Sequence, residues 1–546
     1  MKTPHEFYQR SQVWLDQLLE ADPVAATQLG EHRYDHTLGD MSLEAAEKQE
    51  ERFDSVQAEL AGFDTAAWPN DARIDHTLMT QIIKSFRRQL KVLRVHRRNP
   101  GQYLDATIGG ILLLIMKEFA PLPNRLASAL GRVKDVPAAL SDARRNLIAD
   151  ETPRVWVDTA IEQAQMASML YTAMLPQLAQ QVAPDLADEF SSAGQAAGSA
   201  VEAYAAFLKD ELLPNARGQF AVGKPLFEEI LREDHMVDYG ADELLEIGWV
   251  QFEETKRQMA AVARDIDPSK TVEEILEEAK ADHPTADGLL KAYEDAMNSA
   301  RRYVIDHEIA TIPAGETLRV VETPLYMRPI IPYAAYMPPG ILETKQDGIF
   351  VVTPVDPNAP VDLQEQKLKG HFSVKLPVVA LHEAYPGHHL QMAWANRAET
   401  LPRKMGSFLA TLFIEGWAFY CEELMEQLGW IAKPLQRLGR LHDQLWRAGR
   451  IILDVSLHTG AMTVDEAVDF LVDRVQLERT NAMAEVRRYA MTPTQPQSYL
   501  MGKLQILDLV AEYKKTYPEA TLRQMHDAFL RAGSLPPRLM RQALFG

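Results

Sequence analysis

A single cysteine, Cys421, among 546 residues excludes an intramolecular disulfide and any metal site built on several thiolates. Basic charge is scarce as well: 57 Lys and Arg stand against 77 Asp and Glu, with no dense basic block. The formal charge of −20 argues against nucleic acid as a partner. Long apolar runs are also missing. The longest, residues 108–116, contains Gly109 and Gly110 and is far too short to span a bilayer. The opening Met1-Lys2-Thr3-Pro4-His5-Glu6-Phe7 carries no apolar signal segment, so the expectation is a cytoplasmic protein with no membrane partner. Any metal must be held by His, Asp or Glu.

With 46% hydrophobic and 25% charged residues the composition is that of a globular protein, and the length predicts two or three packed lobes. Apolar residues recur at helical spacing over residues 6–29, 42–61, 68–95, 115–136, 160–175 and 191–213. Polar residues His32, Arg33, Asp35, His36 and Asp40 cluster in the loop 30–40, where such side chains cap helices and hold turns more often than they bind metal. Arg217-Gly218-Gln219-Phe220-Ala221-Val222-Gly223 is the clearest turn-rich break. Helical patterns resume over 242–266, 272–280 and 288–305.

Strand character is confined to 317–355, in Leu318-Arg319-Val320-Val321-Glu322 and Ile349-Phe350-Val351-Val352. Between them the proline-broken stretch 331–340 suits an edge strand or a loop. The expected fold is mainly α, a large multi-helix fold with a small β-sheet preceding the active-site helix. Its expected parts are an N-terminal helical lobe (1–217), a helical segment with the sheet (218–370) and a catalytic helical region (371–546).

Three of the fifteen histidines fall in Leu381-His382-Glu383-Ala384-Tyr385-Pro386-Gly387-His388-His389-Leu390-Gln391. In the His-Glu-x-x-His helix, histidines four apart share a metal and the Glu serves as general base. Here the fourth residue after His382 is Pro386, which ligates nothing. On a regular helix, turning about 100° and rising about 1.5 Å per residue, His388 would point away and His389 would sit roughly 10 Å along the axis. Proline removes a donor and glycine tolerates unusual dihedrals, so two residues can bulge out and carry His388 into the fourth place. His389 is the other candidate; if not a ligand, it is a hydrogen-bonding neighbour of the site.

A third ligand is offered by Phe413-Ile414-Glu415-Gly416-Trp417-Ala418-Phe419-Tyr420-Cys421-Glu422-Glu423. Glu415 is an acid in an otherwise apolar helical run, and a buried carboxylate there needs a charged partner. Glu422, two turns on, reads as a surface charge beside Glu423 and Glu426.

The His-Glu-Ala-Tyr-Pro-Gly-His-His-Leu-Gln stretch with the downstream Glu-Gly-Trp-Ala-Phe-Tyr resembles the bacterial DUF885 family, a distant relative of the gluzincin metallopeptidases. The similarity extends to residues 22–35 and 218–227, and to Arg488-Tyr489 with Pro493, Gln495, Tyr499 and Gly502. One departure stands out: the family usually has Pro-Gly-Gln where this chain reads Pro493-Thr494-Gln495. The resemblance implies a metallopeptidase-like fold, Zn²⁺ held by His382, His388 and Glu415, and Glu383 as general base.

Such a site hydrolyses amide bonds through an activated water, with a second donor to the tetrahedral oxyanion. Tyr499 and Tyr489 are the candidate donors, and Arg487, Arg488 and Lys503 the candidate binders of a substrate carboxylate. Arg450, Asp454 and His458, spaced four apart, share a helix face and either support the site or form a surface ion-pair series. A sheet edge can also take an extended peptide as an added strand. The expected function is zinc-dependent hydrolysis of peptides. The alternatives are a hydrolase of small non-peptide amides and a degenerate scaffold that binds peptides uncut. Intact His382, Glu383 and Glu415 count against the scaffold.

Overall fold

The computed structural model describes residues 2–323, 328, 331 and 333–546. The chain divides into two compact units, Met1–Phe220 with Gly340–Lys345, and Ala221–Pro339 with Gln346–Gly546. The break after Phe220 falls in the turn-rich stretch 217–223. Among the described residues, no helix is long and apolar enough to cross a membrane.

The first unit is helical, with α1 (Pro4–Ala21), α2 (Leu122–Asn146) and α3 (Ala187–Phe207) among its longer elements. The helical pattern over 6–29 is interrupted where the sequence reading ran it through. Pro23 has no N–H to donate, so α1 stops at Ala21, and the Asp22 carboxylate accepts from Ala25 N–H at 2.9 Å to start a short second helix. The helical pattern over 115–136, with its proline-interrupted start, forms two elements, Gly110–Met116 and then α2, which opens behind Pro121.

The polar loop 30–40 holds this unit together. Asp35 accepts from Thr27 Oγ1 at 2.5 Å and lies 2.9 Å from His32 Nδ1, while His32 Nε2 lies 3.3 Å from Glu343. Burial works against an imidazolium here, but hydrogen bonds to Asp35 and Glu343 outweigh it and raise His32 from 6.5 to about 9. Leu342 N–H donates to Leu29 at 2.8 Å, so the segment Gly340–Lys345 is clasped on both backbone and side chain.

The second unit carries a sheet of three strands, β1 (Thr317–Glu322), β2 (Ala334–Met337) and β3 (Asp347–Val352). Their order is β1-β3-β2, with β1 parallel and β2 antiparallel to the central β3. The proline-broken stretch supplies β2 as an edge strand. Residues 324–327, 329, 330 and 332 of the expected strand region lie outside the described residues. The buried side chains of Phe350 and Val352 on β3 pack on Leu289 and Tyr293 of α4 (Leu289–Asp306) and on Leu376 of α5 (Leu376–Glu383). This apolar contact sets the sheet beside the His-Glu stretch.

Four further helices complete the frame: α6 (His388–Ala395), α7 (Thr411–Gln427), α8 (Pro434–His458) and α9 (Ser498–Thr516). α7 packs on α5, α6 and α9. Where α7 and α9 meet, Gly416 faces Gly502, and a Cβ on Gly502 would lie 1.9 Å from the Leu412 carbonyl oxygen. Only glycine permits this approach.

Two outcomes follow for stability. Gly502→Ala should lower it by about 1–3 kcal/mol or more, through forced separation of two packed helices. Gly109→Ala, with nothing within 4 Å of the added carbon, should be neutral or stabilising by up to about 1 kcal/mol. Urea midpoints compare the two; equal effects would refute the close-approach account. The His32 clasp predicts a pH signature. A raised pKa gives stability that is complete below pH 6.5 and is lost as the pH passes about 9. His32→Gln should therefore cost about 1–3 kcal/mol at pH 6 and little at pH 10; a pH-independent loss would count against the clasp.

Candidate metal centre

The hydrogen bonds at the Pro386-Gly387 break show how the extra residues are accommodated. α5 ends at Glu383 and α6 begins at His388. Gly387 N–H donates to Leu381 O at 3.1 Å and Leu390 N–H to Ala384 O at 3.3 Å, each six residues back rather than the helical four. Two residues are thus looped out, and the helical ladder resumes beyond them. A Cβ on Gly387 would sit 1.9 Å from the His382 carbonyl oxygen, so no other residue fits there. The loop is fixed from α7: Trp417 Nε1 donates to Pro386 O at 2.9 Å, and Cys421 Sγ lies 3.7 Å from the same oxygen.

With the loop in place, ligand atoms of His382, His388 and Glu415 all lie within 4.8 Å of one another. The imidazoles of His382 and His388 are 4.7 Å apart between centroids and mutually perpendicular, at 89°. His382 Nδ1 pairs with Glu422 Oε1 at 2.8 Å, which leaves Nε2 as the nitrogen that could ligate a metal. His388 Nε2 is 3.5 Å from Glu415 Oε2. That is long for a charge-assisted hydrogen bond, which runs about 2.7–2.9 Å. It matches the roughly 3.4 Å that separates two ligands on a tetrahedral ion with bonds of about 2.1 Å. Burial opposes ionisation of Glu415, yet His388, His382 and Arg450 together hold its carboxyl down at about 2. His388 shifts the other way: burial lowers it, but Glu415, Glu383 and Glu422 raise it overall. Three carboxylates around two imidazoles make a site that fits a divalent cation.

His389 turns away from this cluster. Its Nε2 is 2.6 Å from Glu316 and its Nδ1 3.0 Å from the Tyr336 hydroxyl, so it ties α6 to the start of β1 and to β2. The Glu422 reading needs correction. Glu422 is 1% exposed, because α8 and α9 cover this end of α7. They supply the buried cations Arg440 and Lys503, which pair with Glu426 and Glu423. The signal was available: Glu422 lies seven residues after Glu415, two helical turns along the same face.

A cleft of about 460 Å³ opens over the cluster, walled by β2, α5 and α8, with Glu383, Tyr499, Trp446, Arg447 and Arg450 among its lining. Tyr499 stays protonated, its phenol raised by burial and by Glu415. Tyr489 does not line the cleft. Its hydroxyl donates to Glu485 at 2.6 Å and accepts from Arg450 at 3.0 Å, so it positions Arg450. Arg488 is taken up by Glu485 and Gln495, and Lys503 by Glu423 and Gln444.

The reading of Arg450, Asp454 and His458 as surface ion pairs does not survive, because all three are buried. Asp454, pushed up to about 8 by burial, accepts from the N–H groups of Thr494 and Gln497 at 3.0 and 3.4 Å. His458 Nε2 pairs with Tyr489 O at 2.9 Å. Both pin the segment behind Tyr499 to α8.

A family model described as "Bacterial protein of unknown function (DUF885)" matches residues 23–544. The chain belongs to the DUF885 family. No curated protein matches it. Its fold is shared by a "putative lipoprotein of unknown function" from Shewanella oneidensis, 23% identical over 100% of both chains with a TM-score of 0.81. A "putative lipoprotein" from Colwellia psychrerythraea is 17% identical, with a TM-score of 0.82 over 100% of this chain and 99% of its own. The departure from the DUF885 pattern at Thr494 has a backbone meaning. Thr494 adopts φ +68°, the left-handed region that favours glycine. Its hydroxyl pairs with His235 at 2.8 Å.

The geometry predicts metal content by residue. Purified protein should carry close to one zinc per chain by elemental analysis. His382→Ala, His388→Ala and Glu415→Ala should lose it, and His389→Ala should retain it. Glu422→Gln should weaken zinc about 10–100-fold in a chelator competition by loosening His382. Full zinc in the first three variants would dismiss the site.

Proposed function

We propose that this protein is a zinc-dependent hydrolase of amide bonds acting on peptides, a distant relative of the gluzincin peptidases. The observation that carries the reading is the cluster of His382, His388 and Glu415, with ligand atoms within 4.8 Å of one another, opening into a cleft beside Glu383. His382 is oriented by Glu422, as metal-ligating histidines commonly are by a carboxylate. Zinc bound by these three residues would polarise the scissile carbonyl and acidify water. Glu383, adjacent to His382 and facing the cleft, takes the proton from the attacking water and delivers it to the leaving amine nitrogen. Tyr499, protonated at neutral pH, donates to the developing oxyanion. Edge strand β2 forms one wall of the cleft, where an extended peptide can pair as a further strand.

The test is digestion of a peptide library read by mass spectrometry, with and without a chelator. Cleavage that disappears with the chelator and returns with zinc is the expected result. Glu383→Gln should keep its zinc and lose about 10²–10⁴-fold in turnover. Undiminished turnover in that variant would place the base elsewhere. A library left intact by zinc-loaded protein would overturn the peptidase reading.

A further inference from the structure

The α8 wall of the cleft holds cations that the hydrolytic chemistry above does not use. Arg447 and Arg450, three residues apart on α8, both line the cleft. Arg450 is 5% exposed and fixed in place. Its Nε bonds the Tyr489 hydroxyl at 3.0 Å and its Nη2 bonds Glu485 at 3.0 Å. Its guanidinium also lies 4.5 Å from the centroid of the Trp446 ring and 4.6 Å from that of Tyr499. Among the described residues, its buried Nη1 has no hydrogen-bond partner, and neither has the buried Nε of Arg447.

The carboxylates paired with these two arginines are each shared with a further cation. Glu485 is shared by Arg450 and Arg488, at 3.0 and 2.9 Å. Asp443 is shared by Lys375 and Arg447, at 2.7 and 3.6 Å. Four cations therefore meet two carboxylates. A buried donor without an acceptor costs about 1–3 kcal/mol, and a rigid guanidinium fork matches a carboxylate. A pair of arginines so placed suits an anion.

We infer that Arg447 and Arg450 bind a carboxylate of the substrate, so that the cleft selects peptides with an acidic group close to the scissile bond. The carboxylate comes from the peptide's free C-terminus or from an Asp or Glu side chain; both present the same two oxygens to the fork. The inference rests on the peptide reading of the site, but it concerns binding and stands or falls apart from turnover.

The experiment uses the zinc-loaded Glu383→Gln protein, which holds substrate without consuming it. The probes are pools of N-acetylated tetrapeptides, prepared as free acids or as C-terminal amides, each with or without an internal Glu. Binding is read by tryptophan fluorescence. Pools bearing a carboxylate should bind about 10–100-fold more tightly than the neutral amide pool. A preference for C-terminal acids identifies the terminus, and a preference for Glu-containing amides identifies the side chain. Arg447→Gln should erase the preference for the carboxylate-bearing pools. Arg450→Lys should weaken the preference, and it keeps a cation where Arg450→Gln risks misfolding.

Equal binding of acid and neutral amide pools by the Glu383→Gln protein would overturn the inference, as would no binding of any pool at millimolar concentration. Active wild-type protein gives an independent arm. If Arg450 instead served the oxyanion, Arg450→Lys would slow acids and amides alike, which also overturns it. A chain that binds acids selectively but cuts nothing would sink the peptidase reading and leave this inference intact.

Discussion

A helical N–H normally reaches four residues back; at Gly387 it reaches six, and the site is assembled around that displacement. Looping out two residues lets the helical ladder resume with His388 beside His382. The condition is severe, because the His382 carbonyl oxygen occupies the space any Cβ at position 387 would need. The neighbours are arranged to keep it so. Trp417 holds the Pro386 carbonyl from one side, and His389, the next residue in α6, is locked by Glu316 and Tyr336 from the sheet side.

The second constraint is electrostatic. Glu415 and Glu422 enter the same region from one helix face, and Glu383 adds a third acid, so the cluster is held together only with cationic partners. His388 answers Glu415, while Glu422 answers the imidazole of His382. The glycine pair at 416 and 502 brings α9 close enough to place Tyr499 in the same cleft. On the opposite wall the sign is reversed, with arginines in excess of their carboxylates. The cleft thus combines an acid-rich floor with a basic wall.

The helical fold was readable because apolar periodicity is local, and so were the helix ends that proline dictates. Where the reading ran on through Pro23, it weighed periodicity above a missing donor; the reverse weighting gives the observed break. The bulge at Pro386-Gly387 was legible for the same reason, since steric rules for proline and glycine act within a few residues. Glu422 was misjudged because burial is set by helices distant in sequence, and α8 and α9 bring the cations that hide that face of α7. Arg450, Asp454 and His458 share a helix face as their spacing required, but spacing does not say whether a face meets water or protein.

The sequence alone determined the candidate ligand types, the register that brings the second histidine back into place, and the mainly helical architecture with its small sheet. Each follows from interactions a few residues long. Only the tertiary structure decided that His388 rather than His389 meets Glu415, that Glu422 orients His382, and that Tyr489 serves Arg450 rather than the cleft. Those outcomes turn on ångström-scale approaches between helices far apart in the chain, and such distances are set by packing, which no local pattern encodes.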